Sequence, residues 1–271
     1  MKKNPGIFIA FWLMSALAVA DSHPRIASTS PALTELLFQL GREKDLVATA
    51  SFSEFPEAAR ALPTLGPLFA PSMERTISFQ PNWILFDVSN PVPHYERSIR
   101  HSGFQGMKLD IHSLDSLVFE SERLLRRLYG EADAPVLRRL KRCLRALPKL
   151  APYRFLVFVW LNPPVLAGHS TLLSDLLTRT GGTNALPREW AAPYPQVSLE
   201  WILNAQVDRI YVLMDSLGEE NLARATSSDW WPARPPKVVP ILNRFFSRSS
   251  LTPLQHLAEL GLPVSEECRG L

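Results

Sequence analysis

The chain has 271 residues, 46% hydrophobic and 20% charged, with a formal net charge of +3 and two cysteines. Proline and glycine together make up about 13% of it, well under the roughly 25–30% of low-complexity chains, so disorder and collagen-like structure are excluded. Only one apolar run is long enough to consider as a membrane segment, which excludes a polytopic membrane protein.

That run opens the chain. Lys2 and Lys3 precede an apolar stretch from Ile7 to Leu17, followed by Ala18, Val19 and Ala20. A basic start, a short apolar core and a small-x-small site describe a secretory signal peptide over residues 1–20, cleaved after Ala20. Its removal deletes two lysines and no acid, leaving a charge of +1. So near-neutral a chain gives no electrostatic reason to expect a nucleic-acid partner. Export permits a disulfide between Cys143 and Cys268, but a bridge and two free thiols both remain open. The six histidines and two cysteines show no metal-ligand spacing, so no protein-held metal or other cofactor is expected.

Past the leader, apolar runs alternate with helical patterns, the grammar of α/β layers. Strands are predicted at Arg25 to Ser28, Leu46 to Ala50, Trp83 to Phe86 and Gly106 to Asp110. A helix from Pro31 to Leu40, stopped by Gly41, and helices at about 56–61, 73–79 and 94–102 fit between them. These form a first lobe over 21–112. Residues 113–150 change character: Leu117, Leu124, Leu125 and Leu128 form a helical stripe, Gly130 breaks it, and Asp133 and Pro135 restart it as cap and first turn. The second helix carries Arg138, Arg139, Lys141, Arg142 and Arg145, which read as a solvated face rather than a site for an acidic partner. A second lobe, 151–271, opens with a strand at Arg154 to Trp160. Helices at about 171–180 and 199–206 follow, then strands at Arg209 to Leu213 and Lys237 to Ile241, and a last helix at Leu251 to Leu260. Prolines and tryptophans between 230 and 240 mark an ordered loop.

One internal match links the lobes. Residues 72–86, SMERTISFQPNWILF, lie without gaps over residues 198–212, SLEWILNAQVDRIYV. Ser72 with Ser198, Glu74 with Glu200, Gln80 with Gln206 and Ile84 with Ile210 coincide. A short match of this kind suggests two equivalent lobes with a ligand cleft between them.

Catalytic motifs are missing: there is no G-x-S-x-G, H-E-x-x-H, phosphate loop or dinucleotide fingerprint. Ser170 beside His169 reads as the cap of a helix beginning at Thr171. Aromatic residues and prolines instead crowd the strand ends and the loops after them: Phe52, Phe55, Phe69, Trp160, Trp190, Tyr194, Phe245 and Phe246. Flat side chains on stiff backbone suit a large planar or amphipathic ligand. Glu74 and Glu200 fall in first helical turns, where a local dipole role alone would explain them.

The ordered motifs resemble a known family. The run from Arg25 to Phe38 (RIASTSPALTELLF), then 51–59 (SFSEFPEAA), Leu65-Gly66 and Ser72-Met73-Glu74 carry the likeness in the first half. In the second half it continues through Asn162-Pro163-Pro164, Gly181 to Asn184 and the run from Pro193 to Glu200 (PYPQVSLE). Together they are similar to the helical-backbone periplasmic binding proteins of cobalamin and siderophore ABC importers, nearest to the cobalamin binders. The resemblance implies two α/β lobes joined by a long rigid helix, with the ligand between them. It implies a monomeric periplasmic carrier, not an enzyme, that holds a corrinoid or metal chelate whose metal arrives within the ligand. It also implies that Glu74 and Glu200 dock on a dimeric membrane permease. The pocket residues it suggests are Phe52, Leu68, Phe69, Asp87, Trp160, Tyr194, Arg244, Phe245 and Arg248. Leu68 stands where the cobalamin binders carry an aromatic residue, and Arg244 (or Asn243 in a slipped alignment) where they carry an acid. With Arg248, that change favours an anionic ligand such as a carboxylate-bearing iron chelate. A ferric-siderophore or haem carrier is the alternative within the class, and a secreted enzyme using the same cleft the alternative outside it.

Overall fold

The computed structural model describes residues 23–131, 134–214, 236–242, 246, 248–269 and 271. The leader, Asp133, most of the tryptophan-proline loop, Asn243, Arg244 and Phe245 lie outside them.

In the first lobe four strands, β1 (Ile26–Ser28), β2 (Leu46–Ala48), β3 (Trp83–Asp87) and β4 (Gln105–Leu109), form a sheet in the order β2-β1-β3-β4. Every pairing in it is parallel. Helices α1 (Pro31–Gln39), α2 (Met73–Phe79) and α3 (Pro93–His101) connect the strands. The segment expected to be helical at 56–61 is a 3₁₀ turn, Glu57–Ala61. Five residues between prolines are too few to close α-helical hydrogen bonds profitably.

The second lobe contains β5 (Tyr153–Leu161), β6 (Pro164–Leu166), β7 (Gly182–Asn184), β8 (Arg209–Met214) and β9 (Lys237–Leu242), with α6 (Leu172–Arg179) and α7 (Leu199–Asn204). The sheet runs β6-β5-β8-β9, with β7 pairing β5. β6 and β7 follow one another along the same edge of β5, β6 antiparallel and β7 parallel. Neither was expected. Each is only three residues long, and Pro164 and Gly182 conceal the strand pattern. The final helix is shorter than expected: α8 (Thr252–Gln255) gives way to a 3₁₀ turn, Leu257–Leu260. Thr171, not Ser170, caps α6, accepting a hydrogen bond from the Ser174 amide.

The connector is the pair of helices expected from the break at Gly130, α4 (Leu114–Tyr129) and α5 (Pro135–Arg145), in place of the one long helix that the resemblance implied. Ser113 and Ser116 close a capping box at the start of α4, and Gly130 ends it at φ 70°, a conformation cheap only for glycine. Leu114, Leu117, Leu124 and Leu125 are fully buried. On α5, Lys141 pairs with Glu122 and Arg142 Nε with Glu267 at 2.9 Å, so the basic run is a solvated, partly ion-paired face. Exposed pairs of this kind contribute at most about 1 kcal/mol each.

Each lobe is tied to the connector. The Tyr129 hydroxyl donates to Asp45 at 2.6 Å with Arg42 stacked 4.0 Å from its ring centroid. From the other lobe, Asp175 accepts from the Leu114 amide at 2.7 Å, and Arg179 bridges Asp175 and Asp115. One apolar core runs through all three parts, from Ile26 and Leu36 through Leu117 and Leu140 to Phe155, Leu176 and Leu254. The cysteine alternative resolves to a disulfide: Cys143 on α5 is bonded to Cys268, with both side chains buried. It closes a loop of 125 residues and pins the C-terminal segment to the connector.

Two outcomes are expected. Cys143→Ser/Cys268→Ser should lose about 2–4 kcal/mol of stability while keeping the native circular dichroism spectrum; denaturant midpoints equal to the parent would refute this. Tyr95 is pushed up to about 12 by burial. Its hydroxyl donates to Thr76 at 2.6 Å, since the Thr76 proton is already given to the Ser72 carbonyl. The folded state therefore holds this proton more tightly than the unfolded chain. Its contribution is whole below about pH 10 and is lost as pH rises toward 12. Replacing Tyr95 with Phe should flatten the fall in stability over that window, as read by urea denaturation.

Candidate functional site

Open α/β sheets place ligands beyond the C-terminal ends of their parallel strands, and the loops that follow strands of each lobe carry the residues singled out in the sequence. In the first lobe Ser51 donates to the Gly66 carbonyl through both its amide and its hydroxyl (2.6 Å from Oγ), joining the loop after β2 to the 65–70 loop. Phe52 projects from the first at 72% exposure and Phe69 from the second at 69%. Phe52 holds φ at 66°, a left-handed conformation that costs a non-glycine residue about 1 kcal/mol or more. Leu68 is half-buried beside Phe69.

Asp87 closes β3, almost wholly buried. Its carboxylate accepts from Ser30 Oγ at 2.7 Å, from the Ser89 amide at 2.9 Å and from Ser89 Oγ at 2.5 Å. These partners take up most of the carboxylate's acceptor sites, with little capacity left for a ligand.

From the second lobe, Trp160 at the end of β5 is half exposed and anchored by its indole N–H to the Asn162 carbonyl at 2.9 Å. Tyr194 sits on a loop stitched to β6 by Leu166 N–Pro195 O and Val197 N–Pro164 O bonds. That loop crosses so near Gly168 that a Cβ there would lie 2.5 Å from the Ala192 carbonyl oxygen. Glycine is therefore a steric condition for the position of Tyr194. Burial and the Asp87 carboxylate raise the Tyr194 pKa, so its phenol remains a neutral donor. Behind Tyr194 a cavity of about 280 Å³ is lined by Val159, Ala167, Leu172, Leu173, Leu213 and Phe246, with Arg248 and Ser249 at its polar side.

Phe52 and Phe69 in the first lobe and Trp160 and Tyr194 in the second are thus exposed aromatic residues, and the Asp87 charge acting on Tyr194 links the two lobes. Arg248 departs from the expectation of a cation free for an anionic ligand. Its Nη1 pairs with Glu35 Oε2 at 2.9 Å, with side chains only 15% and 5% exposed, and its guanidinium lies 5.2 Å from the Phe55 ring centroid. Glu35 also accepts from Ser250 Oγ at 2.9 Å and from Thr252 Oγ1. Gln39 adds a bond to Thr252 Oγ1 and accepts from the Leu251 amide, each at 2.9 Å. This buried cluster clamps α1 of the first lobe to the 248–252 segment of the second. Sequence reasoning passed over Glu35 as a site residue, although a carboxylate among Leu33, Leu36 and Leu37 was the available signal.

Among the described residues no group of three or more His, Cys, Asp or Glu could hold a metal ion, and no helix is long and apolar enough to cross a membrane. Glu74 and Glu200 are exposed in the first turns of α2 and α7, capped by Ser72 and Ser198.

No family model matches this chain. It is 24% identical over 274 residues to a vitamin B12-binding protein of Yersinia pestis, covering 95% of each chain. Among solved structures it is similar to the periplasmic vitamin B12 binding protein BtuF of Vibrio cholerae, with a TM-score of 0.72 and 21% identity over 88% of this chain and 94% of that one. It is equally similar to the periplasmic heme binding protein HutB of the same organism, with a TM-score of 0.73 and 22% identity over 88% and 98%. The fold is that of the two-lobed periplasmic binding proteins.

Breaking the clamp has a defined cost. Glu35→Ala leaves Arg248 buried without a partner and should lower stability by about 3–5 kcal/mol. Glu35→Leu with Arg248→Met removes both charges and should recover most of it. Unfolding free energies of the three proteins check this, and a Glu35→Ala loss under about 1 kcal/mol would contradict it.

Proposed function

From the premise of a two-lobed periplasmic-binding-protein fold, we propose that this chain is the exported substrate-binding component of an ABC importer for cobalamin or a related corrinoid. Residues 1–20 serve as its leader, and the mature chain works in the periplasm. The observation that supports the reading is the set of exposed aromatics, Phe52 and Phe69 in one lobe and Trp160 and Tyr194 in the other. Large flat surfaces left uncovered on stiff loops gain most by covering a macrocycle. The full-length similarity to a vitamin B12-binding protein supports the ligand class. HutB, a heme binding protein of nearly equal structural similarity, supports a haem carrier as the second reading.

Within this reading the ligand brings its own metal and the protein supplies shape, stacking and hydrogen bonds. Tyr194 donates from a neutral phenol, and the apolar cavity behind it receives a ligand side group. Arg248 is held by Glu35, so among the described cleft residues the chemistry favours an amide-bearing corrin over a carboxylate-bearing porphyrin. The shared core and the clamp keep closure small, so the cleft binds largely preformed. The loaded protein then presents Glu74 and Glu200, one per lobe, to arginine or lysine residues of a dimeric permease. Binding and release without bond chemistry is the whole task, consistent with a carrier rather than an enzyme.

Calorimetric titration of the mature chain with cyanocobalamin, dicyanocobinamide and hemin ranks the candidates. The expected result is 1:1 binding of a corrinoid at micromolar concentration or tighter, weakened about tenfold or more by Phe52→Ala and by Tyr194→Ala. Tighter binding of hemin would select the second reading, and binding of none of the three would overturn both.

A further inference from the structure

The internal match at an offset of 126 residues is also a match of construction. The Arg25 amide donates to Asn82 Oδ1 at 2.7 Å, and the Arg154 amide to Asp208 Oδ2 at 2.8 Å. Arg25 Nε donates to the Gln80 carbonyl at 2.9 Å, and Arg154 Nε to the Gln206 carbonyl at 2.8 Å. The Asn82 and Asp208 amides return bonds to the carbonyls of Arg25 and Arg154, each at 2.9 Å. Ser72 and Ser198 cap the two helices on the third amide. An arginine at the head of each lobe's first strand therefore pins the end of α2 or α7 in the same way. The two helices are held to their sheets by matching bonds, although α2 closes on a left-handed Gln80 and α7 on an extended Ala205.

Those faces carry more than glutamate. Ile77 is 58% exposed on α2, and its equivalent Leu203 is 40% exposed on α7. Leu199 lies four residues before Leu203 on the same helical face and is 41% exposed, whereas its equivalent Met73 is half-buried against the first lobe's core. Glu74 and Glu200 fall between, three residues before the outer aliphatic side chain, and make no ion pair among the described residues. One exposed aliphatic residue is ordinary. Its recurrence at equivalent positions beside an unpaired carboxylate, on helices fixed in the same way, is not required by folding.

Resting on the carrier reading above, we propose that each lobe docks through a compound unit: Glu74 and Ile77 on α2, and Leu199, Glu200 and Leu203 on α7. The partner it fits is a membrane protein with two equivalent subunits, each offering an arginine or lysine beside an apolar pocket. The cationic head meets the carboxylate while its methylene stem and the pocket cover the aliphatic side chain. The charges steer and register the encounter. The aliphatic anchors exclude water from the ion pair, strengthen it and slow release.

Photo-crosslinking tests the surface without reference to the ligand. A benzoylphenylalanine is placed at position 77, 203 or, as control, at exposed Phe119 on α4, in the full chain expressed in its own cells. Positions 77 and 203 should capture the same multispanning membrane subunit, and position 119 should not. That subunit, purified with its ATPase in lipid nanodiscs, is then the probe for affinity. Ile77→Ser/Leu203→Ser should weaken docking about a hundredfold, Ile77→Val/Leu203→Val little, and Phe119→Ser not at all, with ligand affinity unchanged throughout. Capture at neither position, or wild-type docking by the serine double variant while Glu74→Gln/Glu200→Gln loses it, would overturn the proposal. Correct capture by a chain that binds no corrinoid would uphold the surface and sink the ligand reading alone.

Discussion

A buried carboxylate organises this molecule. Glu35 rises from the middle of α1, among the buried Leu33, Leu36 and Leu37, and takes hydrogen bonds from Arg248, Ser250 and Thr252 of the opposite lobe. A charge so deeply withdrawn from water is tolerable only when its lone pairs are satisfied, which here requires both lobes in one relative position. Cys143–Cys268 and the Tyr129–Asp45 and Asp175–Leu114 bonds act on the same geometry from the connector side. Surface pairs such as Arg142–Glu267 are more numerous but weaker, and they decide little.

A cleft held in this way differs from one that opens on a free hinge. In the proposed carrier, walls set before the ligand arrives lose little affinity to ordering. The same rigidity sets the distance between α2 and α7. A pair of equivalent docking helices is useful only if that distance is constant, since a two-fold partner must be met at both ends at once. Interlobe stability and recognition of a symmetric partner are thus served by one arrangement.

Much of this was legible in the sequence, for identifiable reasons. Largely buried strands read as apolar runs, so β1, β3, β5 and β8 were found within one or two residues, and the half-exposed edge strand β9 kept enough aliphatic residues to be found as well. The caps Ser72 and Ser198 and the stops Gly41 and Gly130 are local signals that survive into the structure. β6 and β7 escaped because a three-residue edge strand containing proline or glycine owes its existence to its neighbour's ladder, not to its own pattern. The disulfide could not be assigned because proximity across 125 residues is a tertiary fact. Arg248 misled for the same reason: a cation near a cleft looks available until its partner, 213 residues earlier, is known. The strand-end aromatics were visible as a class, whereas the clamp through Glu35 needed coordinates. The equivalence of Arg25 and Arg154 lies outside the internal match and appeared only through their hydrogen bonds.

The central claim is that one ligand engages the facing strand ends of both lobes while the lobes stay in place. Hydrogen–deuterium exchange of the mature chain with and without cyanocobalamin tests it most directly. Protection is expected to rise together in the loops around Phe52, Phe69, Trp160 and Tyr194, with exchange in α4 and α5 unaltered. Protection confined to one lobe, or spread through the connector, would contradict a preformed interlobe site.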